Sequence, residues 1–216
     1  MKSVLLIGLG RFGMNLVHKL NELGHEVMAI DINEERVNDA LPFVTNAQIG
    51  DTTDREFLES LGVRNFDIVI VAIAHDFESA MITTNTVKEM GAPKVISRAC
   101  SDIQEKLLKK IGADIIVYPE KQVAHWTALR YTLDTVFDYF ELSDGFAIYE
   151  VSVPDNWQNK TIVDLNIRKK YHLNILAIKE ADGRLNVMVA SETKFAKGQR
   201  LLVLGKTEDI RKCFKM

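Results

Sequence analysis

The chain has 216 residues, 47% of them hydrophobic and 26% charged, with a formal net charge of -3. That balance is ordinary for a globular protein of one large or two small domains, and it leaves no basic footprint for nucleic acid. Cys100 and Cys213 lie far apart with no C-x-x-C, which argues against a disulfide framework or a zinc site and fits a reducing cytosol.

Ser3 to Ile7 (SVLLI) reads as a short apolar strand. It runs into Gly8-Leu9-Gly10-Arg11-Phe12-Gly13, a full G-x-G-x-x-G, then a helix over Met14 to Leu23 and a second strand over Glu26 to Ile30 that ends at Asp31. Each part has a physical job. Gly8 permits the tight turn, Gly10 lets backbone approach a phosphate, and Gly13 allows close packing of helix on strand. The helix N-terminus offers unpaired N–H groups and a positive dipole end to an anion. Asp31 is set to accept hydrogen bonds from a ribose diol, which favours a free 2'-hydroxyl over NADP. Strand, helix and acid in this order make the motif a nucleotide-site signature rather than a glycine-rich turn.

Strand and helix signals go on alternating. Glu34 to Leu41 reads as a helix closed by Pro42, and Asn46 to Ile49 as a strand leading to Gly50-Asp51-Thr52-Thr53-Asp54, with Asp54 capping the helix through Leu61. Asp67 to Ala74 (DIVIVAIA) is the near-continuous run of a central parallel strand. A helix over Glu78 to Met90, a strand over Lys94 to Ser97, a helix over Asp102 to Ile111 and a strand over Ile115 to Tyr118 complete a doubly wound, Rossmann-like parallel sheet.

Ligands of such sheets sit at the carboxyl ends of the strands. Here those ends are Gly8–Gly13, Asp31, Gly50-Asp51-Thr52, Ala74-His75, Arg98 and Pro119-Glu120. Asp51 and Thr52 either touch a base or ribose or serve the turn. Arg98 either meets phosphates or forms a surface salt bridge. Arg11 sets a guanidinium inside the glycine loop, within reach of phosphate oxygens. Glu120 either bridges to a polyphosphate through a cation or is a first-turn helix acid. The five histidines show no metal-ligand spacing.

A long helix is expected over Glu120 to Leu142, with Trp126, Leu129, Leu133, Val136 and Phe140 as a heptad seam against a partner or within the chain. After Ser143-Asp144-Gly145 comes a small α+β unit: a strand over Phe146 to Val153, a capped turn at Thr161, a basic stretch over Asn166 to Tyr171, a hairpin of Leu173 to Lys179 with Leu185 to Ala190, a strand over Arg200 to Leu204 and a helix over Glu208 to Phe214. At about 75 residues it is near the lower limit for folding alone. The expected organisation is thus residues 1–119, a crossover helix over 120–142 and a small domain over 143–216. Gly205-Lys206-Thr207 lacks the spacing of a P-loop. The apolar run Ile68 to Ala74 is far short of the roughly 20 residues that span a bilayer.

With the arginine in the glycine loop, Asp31, Gly50-Asp51, Arg98, Tyr118-Pro119-Glu120 and the small tail, the sequence resembles the KTN/RCK regulatory subunits of bacterial Ktr/Trk potassium transporters, over essentially its whole length. The resemblance implies an RCK-N domain that binds ATP, ADP or NAD(H) and an RCK-C tail. It also implies a homo-oligomer, from dimer to octameric ring, on the cytoplasmic face of an integral-membrane potassium-translocating subunit. The nucleotide-binding set it gives is Gly8, Gly10, Arg11, Phe12, Gly13, Asp31, Asn33, Arg36, Asp51, Thr52, Ala74, His75 and Arg98, with Glu120 at a divalent or monovalent cation. Some members bind cyclic di-AMP on the C-terminal domain, and the matching residues are Ile162, Ile167, Arg168, Asn174 and Ile175. The function expected is a non-enzymatic gating subunit. The alternative is a small NAD-dependent oxidoreductase, for which the tail offers no acid–base constellation.

Overall fold

Val4 and Leu6 point to one side of the first strand and Leu5 and Ile7 to the other, and none is more than 2% exposed. A strand buried on both faces belongs in the middle of a sheet with helices on either side. In the computed structural model, which describes residues 1–216, that is where β1 (Ser3–Ile7) lies. It pairs in parallel with β2 (Glu26–Asp31) and with β4 (Ile68–Val71). β3 (Asn46–Ile49), β5 (Val95–Arg98) and β6 (Ile115–Val117) complete a parallel sheet of order β3-β2-β1-β4-β5-β6. Helix α1 (Arg11–Glu22) and α2 (Glu34–Ala40) cover one face through Val17 and Val37, which join Val4, Leu6 and Val27. On the other face α3 (Arg55–Ser60) and α4 (Phe77–Glu89) bring Leu58 and Val87 onto Leu5, Ile7 and Val69. Each side chain so buried contributes about 1.5–3 kcal/mol. The doubly wound expectation holds, and Asp54 does cap α3, accepting from the Glu56 N–H at 2.9 Å.

The chain divides into two compact units, Met1–Lys121 and Gln122–Met216. The first closes with α5 (Asp102–Lys110) and the start of α6 (Pro119–Thr132). The second is an antiparallel sheet of order β10-β9-β11-β8-β7. Its strands are β7 (Val136–Glu141), β8 (Phe146–Ser152), β9 (Asn174–Lys179), β10 (Leu185–Asn186) and β11 (Arg200–Lys206). Two short helices, α7 (Ile162–Leu165) and α8 (Ile167–Tyr171), and a terminal α9 (Thr207–Phe214) accompany it. Its core is built round Trp157, 2% exposed, whose ring lies 5.5 Å from Tyr171, 5.9 Å from Phe195 and 5.6 Å from Phe214.

Two expectations are corrected. The helix over 120–142 ends at Thr132, and Val136–Glu141 is a strand paired with β8. The run Val-Phe-Asp-Tyr-Phe is β-branched and aromatic, and a turn at Asp134-Thr135 frees it to pair. A bulge between Val136 and Asp138 then splits the supposed seam: Val136 is 2% exposed and Phe140 65%. The hairpin return over Leu185 to Ala190 is paired only at Leu185–Asn186. Asn186 Oδ1 accepts the Met188 N–H at 3.0 Å, a local turn that takes the chain off the sheet.

Candidate functional site

The strand order reverses at β1, which has β2 on one side and β4 on the other, so a crevice opens beyond their carboxyl ends. The glycine loop lies at that point. Gly8 has φ +96°, and a Cβ there would lie 3.0 Å from the Ala72 backbone. Gly13 is tighter still, since a Cβ would fall 2.0 Å from the Gly8 carbonyl oxygen. Gly10 differs: nothing lies within 4 Å of where its Cβ would be. That open space beside the backbone is what a phosphate needs.

Helix α1 starts at Arg11, earlier than the expected Met14, so the arginine is its first residue. No side chain caps it, and its first turn holds no acid. The leading N–H groups are therefore free for an external anion. Phe12 is half-buried and Arg11 exposed on the same turn.

Asp31 is buried at 7% exposure. Its Oδ2 accepts the Leu9 N–H at 2.7 Å and its Oδ1 accepts the Asn33 N–H at 2.9 Å. Asn33 in turn caps α2 by accepting the Arg36 N–H, and the Arg36 guanidinium lies 3.5 Å from Asp31 Oδ2. Asp31, Asn33 and Arg36 thus form one cluster against the glycine loop. Each carboxylate oxygen keeps a lone pair for a hydroxyl donor.

The other strand ends are less open. Thr52 is 5% exposed, and its hydroxyl is 2.9 Å from that of Thr83. Asp51 accepts the Thr53 N–H at 2.9 Å within the turn, while Thr52 is tied to α4 through Thr83. The Ala74 carbonyl is 3.7 Å from the Cys100 thiol, and His75 is exposed in the loop before α4. Arg98 stacks over the Phe12 ring, 5.3 Å from its centroid, and donates from Nη2 to the Glu120 carboxylate. The Glu120 carboxyl is held below the usual carboxylate range, first by its own backbone N–H at the start of α6, then by Arg98 and Arg11. No group of three or more His, Cys, Asp or Glu side chains is gathered to hold a metal ion. The Phe12–Arg98–Glu120 chain of contacts was hidden in the sequence, because it joins residues 86 and 22 positions apart; only their shared place at strand ends pointed to it.

In the second unit Thr161 and Asp164 form a reciprocal capping box on α7. Arg168 Nε donates to Asn174 Oδ1 at 2.8 Å, which brings two of the expected second-messenger residues together. Ile162 and Ile175 are partly buried beside the core, and Ile167 lies within it at 1% exposure.

Comparison with known proteins follows the same division. The TrkA-N domain family matches residues 4–119 and the TrkA-C domain family residues 146–216. The Ktr system potassium uptake protein C of Bacillus subtilis (strain 168) is 41% identical over 209 residues, 97% of this chain and 94% of its own. The Ktr system potassium uptake protein A of the same organism is 39% identical, covering 98% and 95%. Among solved structures, a GsuK channel bound to NAD superposes with a TM-score of 0.69 at 20% identity over 96% of this chain, which spans 38% of that longer one. At that identity the likeness is one of fold.

Proposed function

We propose that this chain, which belongs to the family of proteins built from TrkA-N and TrkA-C domains, is the nucleotide-sensing regulatory subunit of a potassium-uptake system and not an enzyme. The observation that carries the reading is the glycine loop at the sheet's switch point, with a free, acid-free helix start on one side and the Asp31 cluster on the other. Such a loop binds the phosphates of a nucleotide, and Asp31 its ribose. The class of ligand is ATP or ADP, with NAD(H) as the larger alternative; the GsuK neighbour is described as bound to NAD. Arg11 and Arg98 serve the phosphate end. Phe12, Asn33, Arg36, Asp51, Thr52, Ala74 and His75 line the rest of the crevice. A cation at Glu120 would need ligands from the nucleotide or another copy.

Potassium uptake enters from the relatives, both named for it and alike over nearly the whole chain. The relatives' names support an integral-membrane partner as the translocating part, at whose inner face this chain works; no helix here is long and apolar enough to cross a membrane. A change in nucleotide moves the partner only if the two gating states bind it unequally. Self-assembly, from a dimer up to an octamer, is supported by apolar side chains left open on α5: Ile103 is 71% exposed and Leu107 37%. The oxidoreductase alternative has no support from the relatives, whose names describe transport.

A second ligand, cyclic di-AMP on the C-terminal unit, is favoured by the Arg168–Asn174 bond, which holds a guanidinium ready for a phosphate beside an amide suited to a base edge. The test of the main reading is to denature the purified protein and weigh the released small molecules. ATP, ADP or NAD(H) is expected; consistent release of no nucleotide, together with calorimetric silence toward all three, would defeat it.

A further inference from the structure

Arg98 is under-used where it stands. It ends β5 at the carboxyl edge of the sheet, and its side chain is only 13% exposed. One guanidinium nitrogen, Nη2, donates to Glu120, while the planar group rests on Phe12 within the glycine loop. The Nε atom is buried and has no acceptor. A guanidinium carries five N–H donors and no acceptor, so a buried Nε–H without a partner is a standing cost that an incoming oxygen would remove.

Glu120 is the opposite. Its carboxylate is 56% exposed in the first turn of α6, so it can be hydrated once its partner leaves. An exposed carboxylate gives up an ion pair at little cost. Arg11, whose charge also acts on Glu120, lies on the same side.

From this geometry we infer that Arg98 is an exchangeable latch: Glu120 holds it while the crevice lacks a polyphosphate, and phosphate oxygens entering beside Phe12 draw it off Glu120. The inference rests on the nucleotide reading above and adds a regulation to it. Glu120 is then a built-in competitor for the phosphate-binding arginine, and the strength of competition grows with the charge of the ligand. Adenosine, which offers no phosphate, leaves the latch closed. ATP opens it and frees the Glu120 carboxylate at the start of α6, the helix that runs from the first unit into the second.

The experiment is a double-mutant cycle on the full chain, with calorimetric titration of ATP and of adenosine in chelator, so that no cation bridges the groups. Glu120→Gln should tighten ATP by about 3- to 5-fold and leave adenosine unchanged. Arg98→Gln should weaken ATP by a similar factor. In the double variant the gain from Glu120→Gln should vanish, because it acts through Arg98. A gain that persists undiminished without Arg98 would mean that Glu120 merely repels phosphate, and the latch would be wrong. So would a Glu120→Gln variant that binds ATP unchanged or more weakly; this exposed single change tests the idea even if the arginine variant folds poorly. Failure of ATP to bind the wild-type chain at all would instead overturn the nucleotide reading and the latch with it.

Discussion

The Leu9 N–H donates to Asp31 Oδ2 at 2.7 Å, so the acid that ends the second strand is tied to the backbone of the loop that follows the first. One carboxylate thus sets the loop's shape and, with its spare lone pairs, faces the crevice. Replacing it removes both effects. Asp31→Ala leaves the Leu9 and Asn33 N–H groups without their acceptor, a loss of about 1–3 kcal/mol where such groups are buried. It should lower the melting temperature and weaken adenosine and ATP alike, measured by calorimetry well below the transition. A variant that lost stability but bound adenosine normally would take the ribose role away from Asp31.

Gly10 and Gly13 share a motif, yet the surroundings predict opposite consequences for them. A Cβ at Gly13 meets the Gly8 carbonyl oxygen at 2.0 Å, so Gly13→Ala must push α1 off the sheet. Its melting temperature should fall steeply, by several kcal/mol in stability, as overpacking against backbone allows no easy relief. At Gly10 the same methyl meets nothing within 4 Å and φ is -65°, an ordinary value. Gly10→Ala should fold within about 1 kcal/mol of wild type and lose polyphosphate affinity, because the methyl fills the space a phosphate would use. Equal ATP affinity in Gly10→Ala and wild type would move the phosphate elsewhere.

These contrasts mark what was legible in the chain. The first unit was readable because glycines, buried strands and helix caps each act locally. The loop, Asp31 and the Asp54 cap all stand where their spacing put them. The stretch after Thr132 was not readable from period alone. Trp126, Leu129, Leu133, Val136 and Phe140 repeat at helical steps, but Val136 and Phe140 are strand residues separated by a bulge. Side-chain shape decided the matter: a run of β-branched and aromatic residues next to a free β8 gains more by pairing than by prolonging α6. The Arg98–Glu120 contact was invisible for another reason. Each partner was a candidate for a ligand, and only the packed structure has them meet each other.

Arg11 is exposed on the first turn of α1, where its charge adds to the helix's own positive end. Exposure predicts a purely electrostatic role with little structural weight. Arg11→Ala should melt within about 0.5 kcal/mol of wild type, weaken ATP by about 10-fold and leave adenosine unchanged. Calorimetry against salt concentration sharpens the test, since the wild-type advantage should shrink as ionic strength rises. Equal losses for ATP and adenosine would remove Arg11 from the phosphate end.

Asp114 links three pieces of the first unit and carries a pH signature. Both of its oxygens lie within 2.8 Å of Lys88 Nζ on α4, and Oδ2 accepts the Val95 N–H at the start of β5 at 2.7 Å. Lys88 first, then the Val95 N–H, holds its carboxyl below the ordinary aspartate value of 3.8. A carboxyl depressed in the folded state adds stability that is complete above its unfolded value and is lost as pH falls through the folded one. The side chain is 38% exposed, so solvent screening keeps the contribution small, on the order of 0.2–1 kcal/mol. Asp114→Asn should therefore melt below wild type at pH 7, and the gap should close only as pH falls through the folded value, which lies below 3.8, since only there is the Asp114 side chain neutral in the folded protein too. Thermal melts of the two proteins at pH 7 and at the acid limit of reversible folding measure it. A gap that stayed constant across that range would assign the loss to the amide's poorer hydrogen bonding and not to the charge on Asp114.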